Sequence, residues 1–239
     1  MKPWNILLAC EESQETTKVM RAAGHNAFSC DIVDCSGGRP EWRIKQDVLP
    51  LLNGFCDFAT CDGSKHSVSG RWDMIIAHPP CTFLTNTGNR WFDVEKYGDV
   101  ARQRYRDRYA AIVLFMAFAY ADCERIAIEN PIGIMSSAWR KPDQIIHPYY
   151  FAEAEDDENC ERKATCLWLK GLPPLEYEIK YPPRVIEYKN GKGTDSPWHV
   201  ETMKLPPHER AKARSKTFPG VAKAFGQWVP DLTQRGRER

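Results

Sequence analysis

The chain has almost no excess of either charge: its 239 residues carry Lys+Arg 33 against Asp+Glu 32. A uniformly basic surface for nucleic acid is thereby excluded, and any cationic face must be built locally. No apolar run approaches the length needed to span a bilayer, and the opening Met1-Lys2-Pro3-Trp4-Asn5 does not begin a signal peptide. The expectation is a cytoplasmic protein that makes no membrane contact. None of the nine cysteines forms a Cys-x-x-Cys pair; the closest spacings are Cys30/Cys35 and Cys56/Cys61, with His66 nearby. Structural zinc sites use tighter pairs, so no metal is expected. An odd number of thiols in a chain with no export signal fits reduced cysteine. The sequence also has no internal repeat and no low-complexity segment.

What is present reads as one substantial α/β domain. Asn5-Ile6-Leu7-Leu8-Ala9 is a first strand, residues 12–23 form a helix ended by Gly24, and Asn26 to Asp31 return as a second strand. A strand, helix and strand within about thirty residues predict a doubly wound, mostly parallel, Rossmann-like sheet. Asp47-Val48-Leu49 starts a further short element. Residues 55–71 read as an inserted β-hairpin with Asp62-Gly63 at its turn.

Met74-Ile75-Ile76-Ala77 is apolar without alternation, as in the middle of a parallel sheet. Pro79-Pro80 then stops the strand, because proline cannot donate to a ladder. Cys81 follows on a stiff loop at the carboxyl end of a strand, where open α/β sheets put their chemistry. A thiol there is either a nucleophile or one more buried cysteine. After the loop "TNTGNRWF" comes a long helix near residues 100–120, basic at its start through Arg102, Arg104, Arg106 and Arg108. The strand Arg125-Ile126-Ala127-Ile128 ends in Glu129-Asn130-Pro131, so a polar residue and a proline again close an apolar strand. Beyond Lys141 prolines are frequent, and "LPPLEYEIKYPPRVIEYKNGKGTDSPW" predicts irregular or hairpin structure laid over the core. "CLWLKGL" is one more strand, residues 207–228 contain a helix, and the last five residues are expected to fray.

Pro80-Cys81 and Glu129-Asn130, each at a strand end, resemble the catalytic motifs of the DNA cytosine-5 methyltransferases, with Pro131 where that family usually has valine. More specifically, "LLACEESQ", "GHNAFSCDI", "HPPCTFLTNTGNRWF", "IAIENPIGIMSS", "RKPDQIIHPYYF", "CLWLKGLPPL" and "SKTFPGVAKA" resemble, in order, a compact phage- and prophage-type branch of the family. The resemblance implies a catalytic domain made of residues 1–171 and 207–239, with residues 172–206 as a short recognition or cover segment. It implies an S-adenosylmethionine site, or one for a modified sulfonium of that type, met by Ala9, Cys10, Glu11 and Ser13 on the first strand-end loop. Asp31 with Ile32 would meet the ribose, Asp47 with Val48 the adenine, and Pro79 would close the site. A carboxylate after the second strand of a nucleotide-binding unit can accept both ribose hydroxyls; read from the residues alone, Asp31 and Asp47 are equally turn formers. "ACEESQ" departs from the family in having no glycine.

The same resemblance assigns the chemistry. Cys81 would add to C6 of cytosine, which makes C5 enamine-like and able to attack an electrophilic methyl. The thiolate is required, so positive charge is expected beside it. Glu129 would hold N3 and the exocyclic amine, with a protonated carboxyl selecting cytosine; its alternative is a capping or loop carboxylate. Lys163 or Arg162 stands where the family has a Gln-x-Arg-x-Arg motif, though surface charge before a strand explains both equally. Pro80, Asn130, Pro131 and Arg90 would line the substrate, with Arg102 to Arg108 on phosphates or merely solvated. The base would have to be flipped out of DNA. Residues 172–206 are few for major-groove readout, which implies low specificity, a very short site or a targeting partner for a monomeric enzyme. The transferred group is open, and Lys216 is a candidate to meet a modified cofactor tail. Two rival readings are an enzyme modifying a free pyrimidine nucleotide and a catalytically silent DNA-binding or anti-restriction protein; a metal-binding module is more remote.

Overall fold

A computed structural model describes residues 1–188, 191 and 193–231. The first half runs β1 (Asn5–Ala9), α1 (Glu15–Ala22), β2 (Asn26–Cys30), β3 (Arg43–Ile44), β4 (Cys56–Ala59), β5 (Lys65–Val68), β6 (Met74–Ala77) and α2 (Val94–Ala119). The second runs β7 (Ile126–Pro131), α3 (Met135–Ala138), β8 (Gln144–Ile146), β9 (Thr165–Lys170), β10 (Ile186–Glu187), β11 (Thr194–Asp195), α4 (Pro197–Met203), α5 (Pro207–Ser215) and α6 (Pro219–Phe225).

Seven strands make the central sheet in the order β3-β2-β1-β6-β7-β9-β8. The first five are mutually parallel, while β9 runs antiparallel to both β7 and β8. This is a Rossmann-like, doubly wound, mostly parallel α/β sheet. The unalternating runs of β1 and β6 lie at its centre and are buried on both faces. Phe115 and Phe118 of α2 pack with Trp72 and Trp168 on one face. Met20 of α1 packs with Val221 and Phe225 of α6 on the other.

Register explains where a site can form. Ala9 stands beside Ala77, Ala77 beside Ile128, and Ala9 beside Cys30. The next residues along these parallel strands are therefore Asp31, Cys10, His78 and Glu129, a row at the carboxyl edge of the sheet.

Several elements differ from expectation. Helix α1 starts at Glu15 rather than near residue 12, because Cys10 and Gln14 take left-handed backbone angles (φ 57 and 58). The Glu11 carboxylate caps its first turn, accepting from Thr16 N (2.6 Å) and Thr17 Oγ1 (2.5 Å). Gly24 closes the helix at φ 90, as glycine permits. The hairpin forms as β4–β5 with Gly63 at φ 88 in its turn. "TNTGNRWF" coils into 3₁₀ turns (Asn86–Phe92), and Gly98 (φ 50, ψ -125) breaks α2 near its start. Residues 207–228, expected to contain a helix, hold two, α5 and α6. Phe218 precedes Pro219 and is held extended (φ -66, ψ 141), because proline disfavours a helical residue before it. Residues 172–206, expected to be irregular or hairpin structure, hold the small antiparallel β10–β11 ladder and, beyond expectation, α4. The expected fray of the last five residues lies outside the described residues. Among the described residues no helix is long and apolar enough to cross a membrane.

Candidate active site

The loop after β6 is tied to its neighbours on both sides. His78 N donates to Ala9 O (2.9 Å), and Leu84 N and Thr85 N both donate to Cys81 O (3.0 Å each). The buried Asn130 donates from Nδ2 to Pro79 O (2.7 Å), and Ile134 N donates to Leu84 O (2.8 Å). Asn130 and Pro79, one assigned to substrate and the other to cofactor, thus meet each other. Gly133 bridges to Thr85, and a Cβ built on it would lie 2.1 Å from Leu84 O. Gly133→Ala is expected to lower stability by about 1–3 kcal/mol, the scale of forced overpacking. An unchanged urea midpoint would show instead that the loop yields.

Around Cys81 the charges are mixed. Burial pushes the thiol up from its ordinary range, and Glu129 pushes it further; Lys163 and Arg214 pull the other way. The positive charge expected beside the thiol is there, but it does not win at rest. For Glu129, burial opposes ionisation, yet His78, Lys163 and Thr165 together hold its carboxyl below the usual carboxylate range. Without a base the balance thus favours the ionised carboxylate, whereas the protonated carboxyl was expected with cytosine bound. His78 Nδ1 lies 3.2 Å from Glu129 Oε2.

Lys163 reaches this place because residues before β9 alternate. Glu161 points inward, fully buried, accepting from Arg184 Nη2 (2.6 Å) and Ser196 Oγ (2.5 Å), which anchors the segment leading into α4. Arg162 points outward and donates to Thr194 Oγ1 (2.8 Å) on β11. Lys163 donates to the carbonyls of Arg214 (3.0 Å) and Lys216 (3.4 Å) where α5 ends, and rests over the rings of Trp198 and Phe218. Of the two candidates for the incomplete motif, Lys163 is the one that faces Cys81 and Glu129.

The basic start of α2 is divided. Arg104 and Arg108 turn inward under the loop, with Arg108 donating to Phe83 O (2.8 Å) and Asn89 Oδ1 (2.7 Å). Arg102 pairs with Asp99 and Arg106 donates to Gln103, both on the surface, while exposed Arg90 lies over Trp91. Pro80 and Pro131 flank the two catalytic candidates, Pro80 exposed and Pro131 half-buried.

The first half of the edge row forms a second cluster. Burial raises the Cys10 thiol well above its usual range, with Asp31 and Asp47 adding to the effect, so both acids converge on Cys10. Asp47 Oδ1 accepts from Leu49 N (3.0 Å), Val48 is buried, and Ile32 stands 70% exposed beside Asp31. The loop replaces glycine with two left-handed residues, at about 1–2 kcal/mol apiece. At Gln14 that cost is offset by bonds to Ser29 Oγ and to both the N–H and the carbonyl of Arg39. Gly37 allows the covering loop to approach, since a Cβ there would meet Gln14 Cβ at 2.5 Å and the Ser13 carbonyl at 2.6 Å. The buried Glu12 Oε1 accepts no hydrogen bond among the described residues, its ion-pair partner Lys212 standing 3.6 Å away. Lys216 pairs with Glu15 at 3.5 Å.

Reasoning on the sequence missed His78, Thr165, Glu161 and Arg214. His78 had a signal, a polar residue directly after four buried apolar ones; Arg214 had none. No family model matches the chain, and no curated protein matches it. Among solved structures it is similar to a protein put forward as a DNA modification methyltransferase encoded within an E. coli prophage, at 13% identity and a TM-score of 0.41. The match covers 75% of this chain and 52% of that one, so this chain spans about half that protein's length.

Proposed function

We propose that the chain is a DNA cytosine-5 methyltransferase-like enzyme that modifies C5 of a flipped-out cytosine through a covalent bond from Cys81 to C6. One observation carries the reading: the adjacent parallel strands β6 and β7 present Cys81, on the loop after β6, and Glu129, in the second half of β7, and both feel the charge of Lys163. The Cys81 thiolate forms the S–C6 bond, and the displaced π electrons make C5 nucleophilic. Glu129 meets N3 and the exocyclic amine and takes up the charge that moves onto the ring. Seating the base also removes the obstacle to the thiolate. Once Glu129 takes up a proton from solvent as the base is seated and shares it with N3, its negative charge no longer opposes Cys81, while Lys163 and Arg214 continue to favour the anion.

The residues present fit an S-adenosylmethionine-type cofactor. Asp31 would hold the ribose hydroxyls, the exposed Ile32 one face of the adenine, and Asp47 its amino group. The unsatisfied Glu12 Oε1 would accept from the cofactor's ammonium. When bound, that group supplies the electrophilic carbon that C5 attacks. Asp31→Ala is expected to weaken cofactor binding by about 1–3 kcal/mol, the scale for hydrogen bonds to a charged acceptor. Calorimetry giving an unchanged affinity would displace the ribose assignment.

Residues 172–206, with β10, β11 and α4, offer few side chains for base edges, which favours broad cytosine contexts. The deciding experiment is incubation with cofactor and DNA containing 5-fluorocytosine, which blocks release of the adduct. A denaturation-resistant protein–DNA complex at Cys81 supports the reading. Modification of free cytidine nucleotides without any of DNA would move the reaction to the nucleotide. No adduct and no product with either would remove it.

A further inference from the structure

His78 Nδ1 sits 3.2 Å from Glu129 Oε2, and the two side chains are only 8% and 17% exposed. A carboxylate oxygen can only accept, so Nδ1 must carry a hydrogen. In the neutral ring Nε2 is then an acceptor, and it is buried without a hydrogen-bond partner among the described residues. On the imidazole side the neighbour is apolar, with Phe225 of α6 tilted against the ring at 6.3 Å. A hydrophobic side chain would fill this place with no unsatisfied nitrogen, so packing alone gives no reason for histidine.

We infer that His78 is a positioning residue for transfer: its Nδ1–H fixes Glu129 Oε2 and leaves the other carboxylate oxygen for the base. This rests on the proposed reaction and extends it. A neutral donor serves Glu129 in both of its charge states, because Oε2 can accept whether or not the other oxygen is protonated. An imidazolium would instead hold the carboxyl ionised and oppose the proton sharing with N3. The charged and titratable groups bearing on the pair are Lys163 ahead of β9, Cys166 within β9, Cys81 on the loop that His78 begins, and Arg214 of α5 through Cys81. Helix α6 contributes only the ring of Phe225, and β1 only the Ala9 carbonyl that accepts from His78 N. Lys163 already favours the ionised acid, and a second cation beside it would lock that state.

Two variants and one spectrum test this. His78→Asn puts an amide N–H close to the place of Nδ1 but cannot titrate. It is expected to keep kcat within about threefold of the wild type, because the donor to Glu129 Oε2 is retained. His78→Leu removes the donor and is expected to lose about 10²-fold in kcat, the scale for a misplaced catalytic group, with KM for DNA little changed. An asparagine variant as impaired as the leucine one overturns the inference, as does a leucine variant with wild-type kcat. Nitrogen-15 NMR of histidine-labelled protein, assigned with His78→Asn, should show the neutral Nδ1–H tautomer, and an Nε2–H tautomer overturns the inference whatever the activity. Should the wild-type protein transfer nothing, the reaction falls and the role of His78 with it. A wrong tautomer in an active enzyme removes His78 alone.

Discussion

Cys81→Ser is expected to cut transfer by on the order of 10³-fold or more, as loss of an attacking nucleophile does. A hydroxyl at this position is almost wholly protonated near neutral pH. The surroundings would make its ionisation harder still, since burial and Glu129 already hold even the more acidic thiol above its ordinary range. Little else should change. The loop is held by the Cys81 carbonyl, which accepts from Leu84 N and Thr85 N, and not by the sulfur. Thermal stability and cofactor affinity should therefore match the wild type. Single-turnover assays on a cytosine-containing duplex provide the measurement, and near wild-type turnover in the serine variant would end the assignment of Cys81 as nucleophile.

Glu129→Gln is expected to lose about 10²–10³-fold in transfer, the range for removing one group that meets developing charge. The same substitution should make Cys81 more reactive towards a simple alkylating agent. The Glu129 charge raises the thiol's pKa, so removing it moves the thiolate's appearance to lower pH while Lys163 and Arg214 still favour the anion. Iodoacetamide labelling followed across pH, with the Cys81 peptide quantified by mass spectrometry, should show a curve displaced toward acid. Slower catalysis joined to faster alkylation would be hard to obtain from a merely damaged fold. Slower alkylation would mean that Glu129 does not oppose the thiolate.

The parallel half of the sheet could be read from local pattern. β1, β6 and the first half of β7 are apolar runs; the prolines after β6 mark its end, and Pro131 is the last residue of β7. The three-residue β8 was invisible, because its place at the antiparallel edge depends on pairing with β9. Cys81 and Glu129 were legible for the same reason as their strands, each being the polar residue after an apolar run and a turn signal. The charge balance between them was not. Arg214 reaches the thiol from a helix distant in sequence, and Lys163 depends on an alternation fixed by the buried Glu161. The divided arginines of α2 make the same point. Their spacing describes a basic helix, but only the loop lying against Arg104 and Arg108 decides which of them remain free.

The tie between the two strand ends bears on how different cytosines would be ranked. With Asn130 bonded to Pro79 and Gly133 packed against Leu84, the spacing of thiol and acid is settled when the chain folds rather than when a base arrives. Under the proposed reaction, all the rearrangement needed for encounter then falls on the nucleic acid. Rates at different cytosines would diverge chiefly by the work of unstacking and unpairing each one, least for a mismatched or unpaired base. Such an enzyme would act as a gauge of local duplex stability, favouring breathing or single-stranded stretches over stable helix whatever the flanking letters.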